Sequence, residues 1–186
     1  MVRLTAVDLK QASGKAKDLL DKIHATLGRT PNMMRTMAHS PAVLEGYLGF
    51  SQVLKGGTLG VGLREQIALA VGEANRCEYC VSAHTAIGKM VGLGDAELLA
   101  SRQAVSTDPK TDAALKFART LTERRGEVTD ADFGMVREAG HTDGEIAEII
   151  AHVALNIFTN YFNKAAGVEV DFPKVTQGAG TLAAIR

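Results

Sequence analysis

The sequence lacks several features that mark whole classes of protein. It contains no tryptophan, and its 21 lysine and arginine residues balance 21 aspartate and glutamate residues, so the formal net charge is zero. Proteins that bind nucleic acid or anionic membranes usually present an excess of basic residues, which this chain does not have. No run of about 18 apolar residues predicts a membrane span. We therefore expect neither a nucleic-acid partner nor a membrane association.

The first residues, MVRLTAVDLKQ, do not resemble a secretory signal, because Asp8 and Lys10 stand where such a signal has its apolar centre. The 186 residues correspond to about one domain, and they contain no low-complexity linker. These observations predict a soluble, cytoplasmic protein with a single domain.

The spacing of apolar residues predicts a succession of helices, and no β-hairpin dipeptide lies between alternating runs. Helices are predicted over residues 13–28, 61–75 and 77–91, among others. Thr142 and Glu145 have the spacing of a capping box, which predicts the start of the longest helix. The predicted fold class is therefore all-α.

The two cysteines, Cys77 and Cys80, form a C-x-x-C motif. A disulfide between them closes a very short loop, so it restricts the unfolded chain only slightly. In a reducing compartment such a pair is more typical of redox or metal chemistry than of a structural crosslink.

A histidine follows the cysteine pair at helical spacing. Cys77, Cys80 and His84 stand at i, i+3 and i+7, which places them within an arc of roughly 60° on a helix. His84 lies one turn beyond Cys80, so its imidazole can accept the thiol proton or stabilise the thiolate. The positive potential of the helix N-terminus acts most strongly at Cys77. Because the two effects favour different sulfurs, the spacing leaves the identity of the nucleophile open.

A carboxylate on the preceding helix is a candidate third component. Glu65 stands twelve residues before Cys77. If the two helices form a hairpin, Glu65 approaches His84 and can orient it or relay its proton. The alternative is a zinc site, in which Glu65 supplements two thiolates and His84. Three ligands from one straight helix converge poorly on a tetrahedral ion, so we favour redox chemistry and expect no metal.

This arrangement resembles the alkylhydroperoxidase D-like (AhpD-like) and carboxymuconolactone decarboxylase superfamily. Its peroxidase-related branch has a glutamate, eleven intervening residues and then C-x-x-C-x-x-x-H, and the run from Glu65 through RCEYCVSAHTAIGKMVGLG keeps that spacing. The resemblance extends to GRTPNMMRTMAHSP and LNIFTNYFN on either side. It covers residues 15–170 as an AhpD-like helical domain, which leaves 1–14 as an N-terminal segment and 171–186 as a tail, expected to be extended after Pro173.

The resemblance implies a role for each residue of the motif. It implies an AhpD-like helical bundle with the C-x-x-C at the N-terminal end of a central helix. Cys80 is then the peroxidatic thiol, Cys77 its resolving partner and His84 the base, with Glu65 linked to it. Well-studied members often have a second histidine directly before the second cysteine, where this chain has Tyr79.

The implied activity is that of a thiol-dependent peroxidase in antioxidant defence. Its partners are a hydroperoxide substrate and a dithiol reductant, either a lipoyl- or a thioredoxin-like protein. No flavin, haem or nicotinamide motif is present, so no cofactor is expected. Members of the superfamily commonly assemble as trimers or hexamers, which implies a homo-oligomer.

Two alternatives remain at this point. The first is a lyase of the decarboxylase branch that uses histidine and glutamate on a lactone acid, although such chemistry does not need paired thiols. The second is a non-enzymatic, redox-sensing oligomeric module whose disulfide changes a contact with a partner.

Polar residues elsewhere give weaker indications. Four of them form a stripe on the last helix, roughly opposite its apolar stripe, and they face solvent, a subunit contact or a pocket: His152, Asn156, Asn160 and Asn163. The other histidines, His24, His39 and His141, are expected at the surface or at helix ends. The methionines Met33, Met34 and Met37 are expected to fill the core or a contact.

Overall fold

The computed structural model describes residues 1–176 and residue 178, and within this part of the chain it contains nine helices and no strand. The prediction of an all-α fold is confirmed. The helices are α1 Gly14–Leu27, α2 Asn32–Met37, α3 Pro41–Lys55, α4 Val61–Ala74, α5 Glu78–Met90, α6 Asp95–Arg102, α7 Pro109–Glu123, α8 Asp130–Glu138 and α9 Asp143–Ala166.

Local sequence signals fix many of the helix ends. Gly28 ends α1 with a left-handed backbone, at a φ of 68° that favours glycine. At the start of α9 the Glu145 amide donates to the Thr142 hydroxyl, and the Thr142 amide donates to the Glu145 carboxylate. The predicted capping box is therefore confirmed, and Thr129 forms another with Asp132 at the start of α8.

The centre of the fold is α4, which packs against α5, α6, α7 and α9. Its middle turns, residues 66–72, are buried on all sides. A tight connection at Asn75, Arg76 and Cys77 turns the chain back, so α5 lies alongside α4. This hairpin brings the side chains of the two helices into register.

The segments outside the helices are held against the bundle. The amides of Arg3 and Leu4 donate to the carbonyl of Ala166 at the end of α9. After α9 the chain crosses α5, where the Val175 amide donates to the Ser82 hydroxyl. The described part of the predicted tail has no helix or strand, whereas residues 177 and 179–186 lie outside the described residues.

His141 stands at a helix end, directly before the N-cap Thr142 of α9, but the alternative expectation of a surface position is wrong. Its side chain is buried between α7 and α9, and its Nε2 lies 2.9 Å from the carbonyl of Lys110. The connection between α8 and α9 packs against the first turn of α7. The local sequence does not predict this tertiary contact. Within the described residues, none of the helices combines the length and apolar character that crossing a membrane requires.

Candidate active site

The C-x-x-C motif lies at the start of α5 as a disulfide between Cys77 and Cys80. Cys77 is the N-cap residue, and its sulfur accepts a hydrogen bond from the Cys80 amide at 3.3 Å. Both residues are almost completely buried, at 1% and 2% exposure. The structure therefore shows the oxidised pair, protected from bulk solvent at the amino end of a helix.

Glu65 and His84 meet across the α4–α5 hairpin. The distance from His84 Nδ1 to Glu65 Oε2 is 2.7 Å, and the two side chains are 24% and 16% exposed. With the glutamate ionised, Nδ1–H donates to it and fixes the tautomer of the ring. His84 Nε2 is then the nitrogen that is left to take up or release a proton.

Asn163, on α9, contacts the sulfur of Cys80. Its amide Nδ2 lies 3.4 Å from Cys80 Sγ and 3.3 Å from Met33 Sδ, while its Oδ1 is buried without a partner. An amide N–H aimed at sulfur stabilises negative charge there. Sequence reasoning placed Asn163 in the polar stripe but gave it no role.

A cavity of about 540 Å³ opens beside these groups. Cys80, His84 and Glu65 all line it, whereas Cys77 does not. The wall is mainly apolar and comes from α1 to α5, the connection between α1 and α2, α9 and the segment after α9. Cys80 is thus the sulfur that a molecule in the cavity can reach.

The polar stripe of α9 faces this cavity. His152, Asn156 and Asn163 line it, and Asn160 is buried beside them, where its Oδ1 accepts from Asn75 Nδ2 at 3.0 Å. The expectation that this stripe lies opposite the apolar one is wrong.

At about 100° per residue the centres of the two stripes are only about 90° apart. The apolar stripe that the spacing predicts consists of positions 146, 149, 150, 153, 157 and 161. Two of its members therefore point outward: Ile150 and Tyr161 are 39% and 59% exposed.

Three polar rings in the wall are held in their neutral forms. Burial, followed by the nearby charge of Arg64, lowers the pKa of His152 below its usual value. Burial, reinforced by the charge of Glu65, raises the pKa of Tyr47 to about 12. Burial also raises the pKa of Tyr79, whose hydroxyl accepts a hydrogen bond from the Met33 amide at 3.2 Å.

The three methionines of the α2 region fill the core or contact the cavity, as the sequence predicts. Met33 and Met37 are buried in the core, and Met33 and Met34 line the cavity. Across residues 1–176 and residue 178, no group of three or more histidine, cysteine, aspartate or glutamate side chains is arranged to hold a metal ion. In the zinc alternative both sulfurs would bind the ion, whereas here they are bonded to each other.

Fold and site together define an all-helical protein with a buried C-x-x-C disulfide beside an imidazole–carboxylate pair. Residues 41–123 match the model of the carboxymuconolactone decarboxylase family. This match and the solved structures below support a place for the chain in the AhpD-like and carboxymuconolactone decarboxylase superfamily, as its motif indicates. No curated protein sequence matches the chain significantly.

Solved structures share the fold over nearly the whole chain. A peroxidase-related protein with an alkylhydroperoxidase AhpD core, from Ralstonia eutropha JMP134, is 27% identical with a TM-score of 0.82 over 91% of this chain and 92% of that one. A peroxidase-related protein from Silicibacter sp. TM1040 is 24% identical, with a TM-score of 0.78 over 89% and 91%.

A third similar structure is that of the debrominase Bmp8, which has been solved with 2,3,4-tribromopyrrole. It is 20% identical to this chain, with a TM-score of 0.77 over 90% of this chain and 91% of that one. Proteins with this fold therefore include an enzyme other than a peroxidase.

Proposed function

We propose that this protein is a thiol-dependent peroxidase that reduces organic hydroperoxides through Cys77 and Cys80. The observation that carries the proposal is that Cys80, and not Cys77, lines a cavity together with the paired His84 and Glu65. A nucleophile needs access to its substrate, and a resolving thiol needs access only to the nucleophile. The cavity thus supports the assignment that spacing alone leaves open.

In the reduced protein, the Cys80 thiol gives its proton to His84 Nε2, and the thiolate attacks the distal oxygen of the hydroperoxide. The O–O bond breaks, the sulfur is oxidised to a sulfenic acid, and the departing alkoxide takes the proton from His84 to leave as an alcohol. The Cys77 thiol then condenses with the sulfenic acid, which forms the observed disulfide and releases water.

The surrounding groups fit supporting roles in this sequence. Glu65 keeps the His84 ring oriented through Nδ1, so Nε2 stays available to the thiol. The Asn163 amide stabilises negative charge on the Cys80 sulfur. The amino end of α5 adds a favourable potential at both cysteines.

A dithiol donor completes the cycle by exchange with the disulfide, so two electrons reach the cysteines and the donor becomes a disulfide. Both sulfurs are almost completely buried. The donor must therefore reach Cys80 through the cavity, which favours a slender lipoyl-type arm over a thioredoxin-like surface. We place this activity in antioxidant defence in the cytoplasm, where disulfides are reduced again after each turnover.

We also propose that residues 15–170 form the functional domain and that it works as a homo-oligomer, a trimer or a hexamer. Large apolar side chains on the outer face of α9 support an interface, because Phe158 and Tyr161 are 40% and 59% exposed. Light scattering of the purified protein tests this directly, since a monomer at micromolar concentration would contradict it.

The peroxidase proposal is tested with the reduced protein, cumene hydroperoxide and dihydrolipoamide as donor. We expect sustained turnover, and we expect Cys80→Ser to lower it at least about a thousandfold because the nucleophile is gone. With the donor left out, Cys77→Ser should consume one equivalent of hydroperoxide and stop at the sulfenic acid. Unchanged turnover in Cys80→Ser would overturn the proposal.

The same experiment separates the alternatives. A lyase would keep its activity on a lactone acid after both cysteines are replaced. A redox-sensing module would form the disulfide but would not turn over with the donor. Turnover of 2,3,4-tribromopyrrole faster than of any hydroperoxide would instead indicate reductive dehalogenation by the same thiols.

A further inference from the structure

The cavity is much longer than the reaction at Cys80 requires. One end, here called the sulfur end, contains Cys80, His84, Glu65 and Asn163. Along α9 the wall continues from Asn163 to His152. These residues are eleven positions apart, which corresponds to about 16 Å at the rise of a helix.

A second part of the wall, here called the far end, is formed by Lys55, Arg64 and His152, and it adjoins the sulfur end where Arg64 is followed by Glu65. Lys55 closes α3, Arg64 lies in the first turn of α4, and both line the cavity together with His152. The far end therefore combines three nitrogen-bearing side chains from three helices at one place.

The two cations of the far end have no carboxylate partner among the described residues. The Arg64 guanidinium donates to the backbone carbonyl of Lys55 at 2.8 Å. By contrast, Arg29, which also lines the cavity, forms an ion pair with Asp171 at 2.6 Å. The positive charge of Lys55 and Arg64 is thus left uncompensated by any ion pair.

The imidazole of His152 points to a ligand independently of these charges. The residue is only 5% exposed, and its Nε2 is buried without a hydrogen-bond partner. A buried polar atom without a partner is rare in folded proteins, since it loses its contacts with water and gains nothing in return. Because His152 also lines the cavity, a ligand there lies on the side from which a partner could come.

We propose that the far end is a carboxylate-binding subsite and that the substrates are amphipathic organic acids whose apolar chain also carries a hydroperoxide group. The carboxylate contacts Arg64 and Lys55 and accepts a hydrogen bond from His152 Nε2. The intervening apolar chain lies against Ala68 and Leu155. This inference rests on the proposed peroxidase function and specifies its substrate.

The charge balance of the far end favours a monoanion. Lys55 and Arg64 carry two positive charges, and Glu65, the acidic residue of the cavity wall, stands next to Arg64 in the chain. Its carboxylate is paired with His84, but its negative charge still opposes a second negative charge on the ligand. A carboxylate therefore fits better than a phosphate dianion.

The first test measures binding without turnover. Dodecanoic acid and its methyl ester are titrated separately into the oxidised protein, and the heat of binding gives both dissociation constants. We expect the acid to bind at least about tenfold more tightly, as one charge-assisted contact provides. Equal affinities of acid and ester would overturn the subsite.

Variants of the far end test whether the preference for the acid over its methyl ester arises there. Arg64→Gln and Lys55→Gln should each remove most of the preference for the acid, whereas Arg64→Lys should keep about half of it or more. Arg119→Gln is the matched control, because Arg119 is an exposed arginine of α7 paired with Glu123 and lies outside the cavity. A preference that survives in the double variant Lys55→Gln, Arg64→Gln would place the carboxylate elsewhere and contradict the proposal.

The kinetic test separates this inference from the peroxidase proposal. A hydroperoxy fatty acid, its methyl ester and cumene hydroperoxide are compared as substrates of the reduced protein. Turnover of all three at equal kcat/KM supports the peroxidase and overturns the subsite. A lower KM for the acid than for the ester, lost in Arg64→Gln, supports both, and no turnover of any of the three overturns the peroxidase itself.

Discussion

The sulfur end and the far end of the cavity differ in how their polar groups are satisfied. At the sulfur end, His84 is bound to Glu65, and Cys80 accepts from the amide of Asn163, whose Oδ1 alone lacks a partner. At the far end, Arg64 and Lys55 have no carboxylate partner in the described structure, and His152 Nε2 has no partner at all. The ion pair of His84 and Glu65 fixes the position of a catalytic group, whereas Lys55 and Arg64 have charges that a bound anion can pair with. We therefore expect changes at the sulfur end to act on rate and changes at the far end to act on affinity.

Glu65→Gln should give the largest effect among the supporting residues of the sulfur end. The variant keeps the shape of the side chain but loses the charge that orients His84. We expect sulfenic acid formation to slow about thirtyfold, since a partner that orients a functional histidine typically contributes about 10- to 100-fold, with KM nearly unchanged. Rapid-quench kinetics measures this step.

Glu123→Gln is the matched control for that variant, since Glu123 is an exposed glutamate of α7 that pairs with Arg119. An effect confined to KM in Glu65→Gln would contradict the assignment of the two ends, because it would make Glu65 a binding group.

Asn163→Ala should have a smaller effect at the same end. It removes the N–H that approaches Cys80 Sγ, so we expect alkylation of the reduced protein at neutral pH to slow about fivefold, as for the loss of one ordinary hydrogen bond of about 1 kcal/mol. Asn160→Ala is the matched control, because Asn160 is buried on the same helix but bonds to Asn75. Equal slowing in both variants would mean that the loss is structural and that Asn163 does not act on the sulfur.

Tyr79→Phe should have the smallest effect on activity, although Tyr79 lines the sulfur end. Its hydroxyl accepts from the Met33 amide, and burial keeps it neutral. We expect kcat/KM to change by no more than about twofold and the free energy of unfolding to fall by about 1–2 kcal/mol, because a buried amide loses its acceptor.

Urea denaturation measures the change in stability of Tyr79→Phe. Tyr161→Phe, which keeps the ring that the proposed subunit interface would bury and removes only an exposed hydroxyl, should change the stability much less. A large loss of activity in Tyr79→Phe without a loss of stability would mean that Tyr79 takes the place of the second histidine of its relatives in the chemistry.

Much of the sulfur end could be predicted from the sequence. Helix positions follow from local spacing and capping residues, and the α4–α5 hairpin follows from the short connection at Asn75. Since the motif lies on these two helices, the sequence could predict that Glu65 and His84 meet. Glu65, the two cysteines and His84 all lie within the twenty residues 65–84.

The far end could not be predicted in this way. Lys55, Arg64 and His152 come from three helices, and only tertiary packing brings them together. The polar stripe of α9 was visible in the sequence, but periodicity does not distinguish a face that lines a cavity from one that faces solvent. The contact of Asn163 with Cys80 links residues 83 positions apart and depends on the same packing.

The central step of the proposed mechanism is the transfer of the proton of the Cys80 thiol to His84. The direct measurement is the rate of alkylation of Cys80 by iodoacetamide across pH 5–10, in the reduced Cys77→Ser protein with and without His84→Gln. We predict fast alkylation at neutral pH, with a midpoint below the value of about 8.5 for an ordinary thiol, and an upward shift of that midpoint in His84→Gln. An ordinary midpoint that His84→Gln leaves in place would contradict the account.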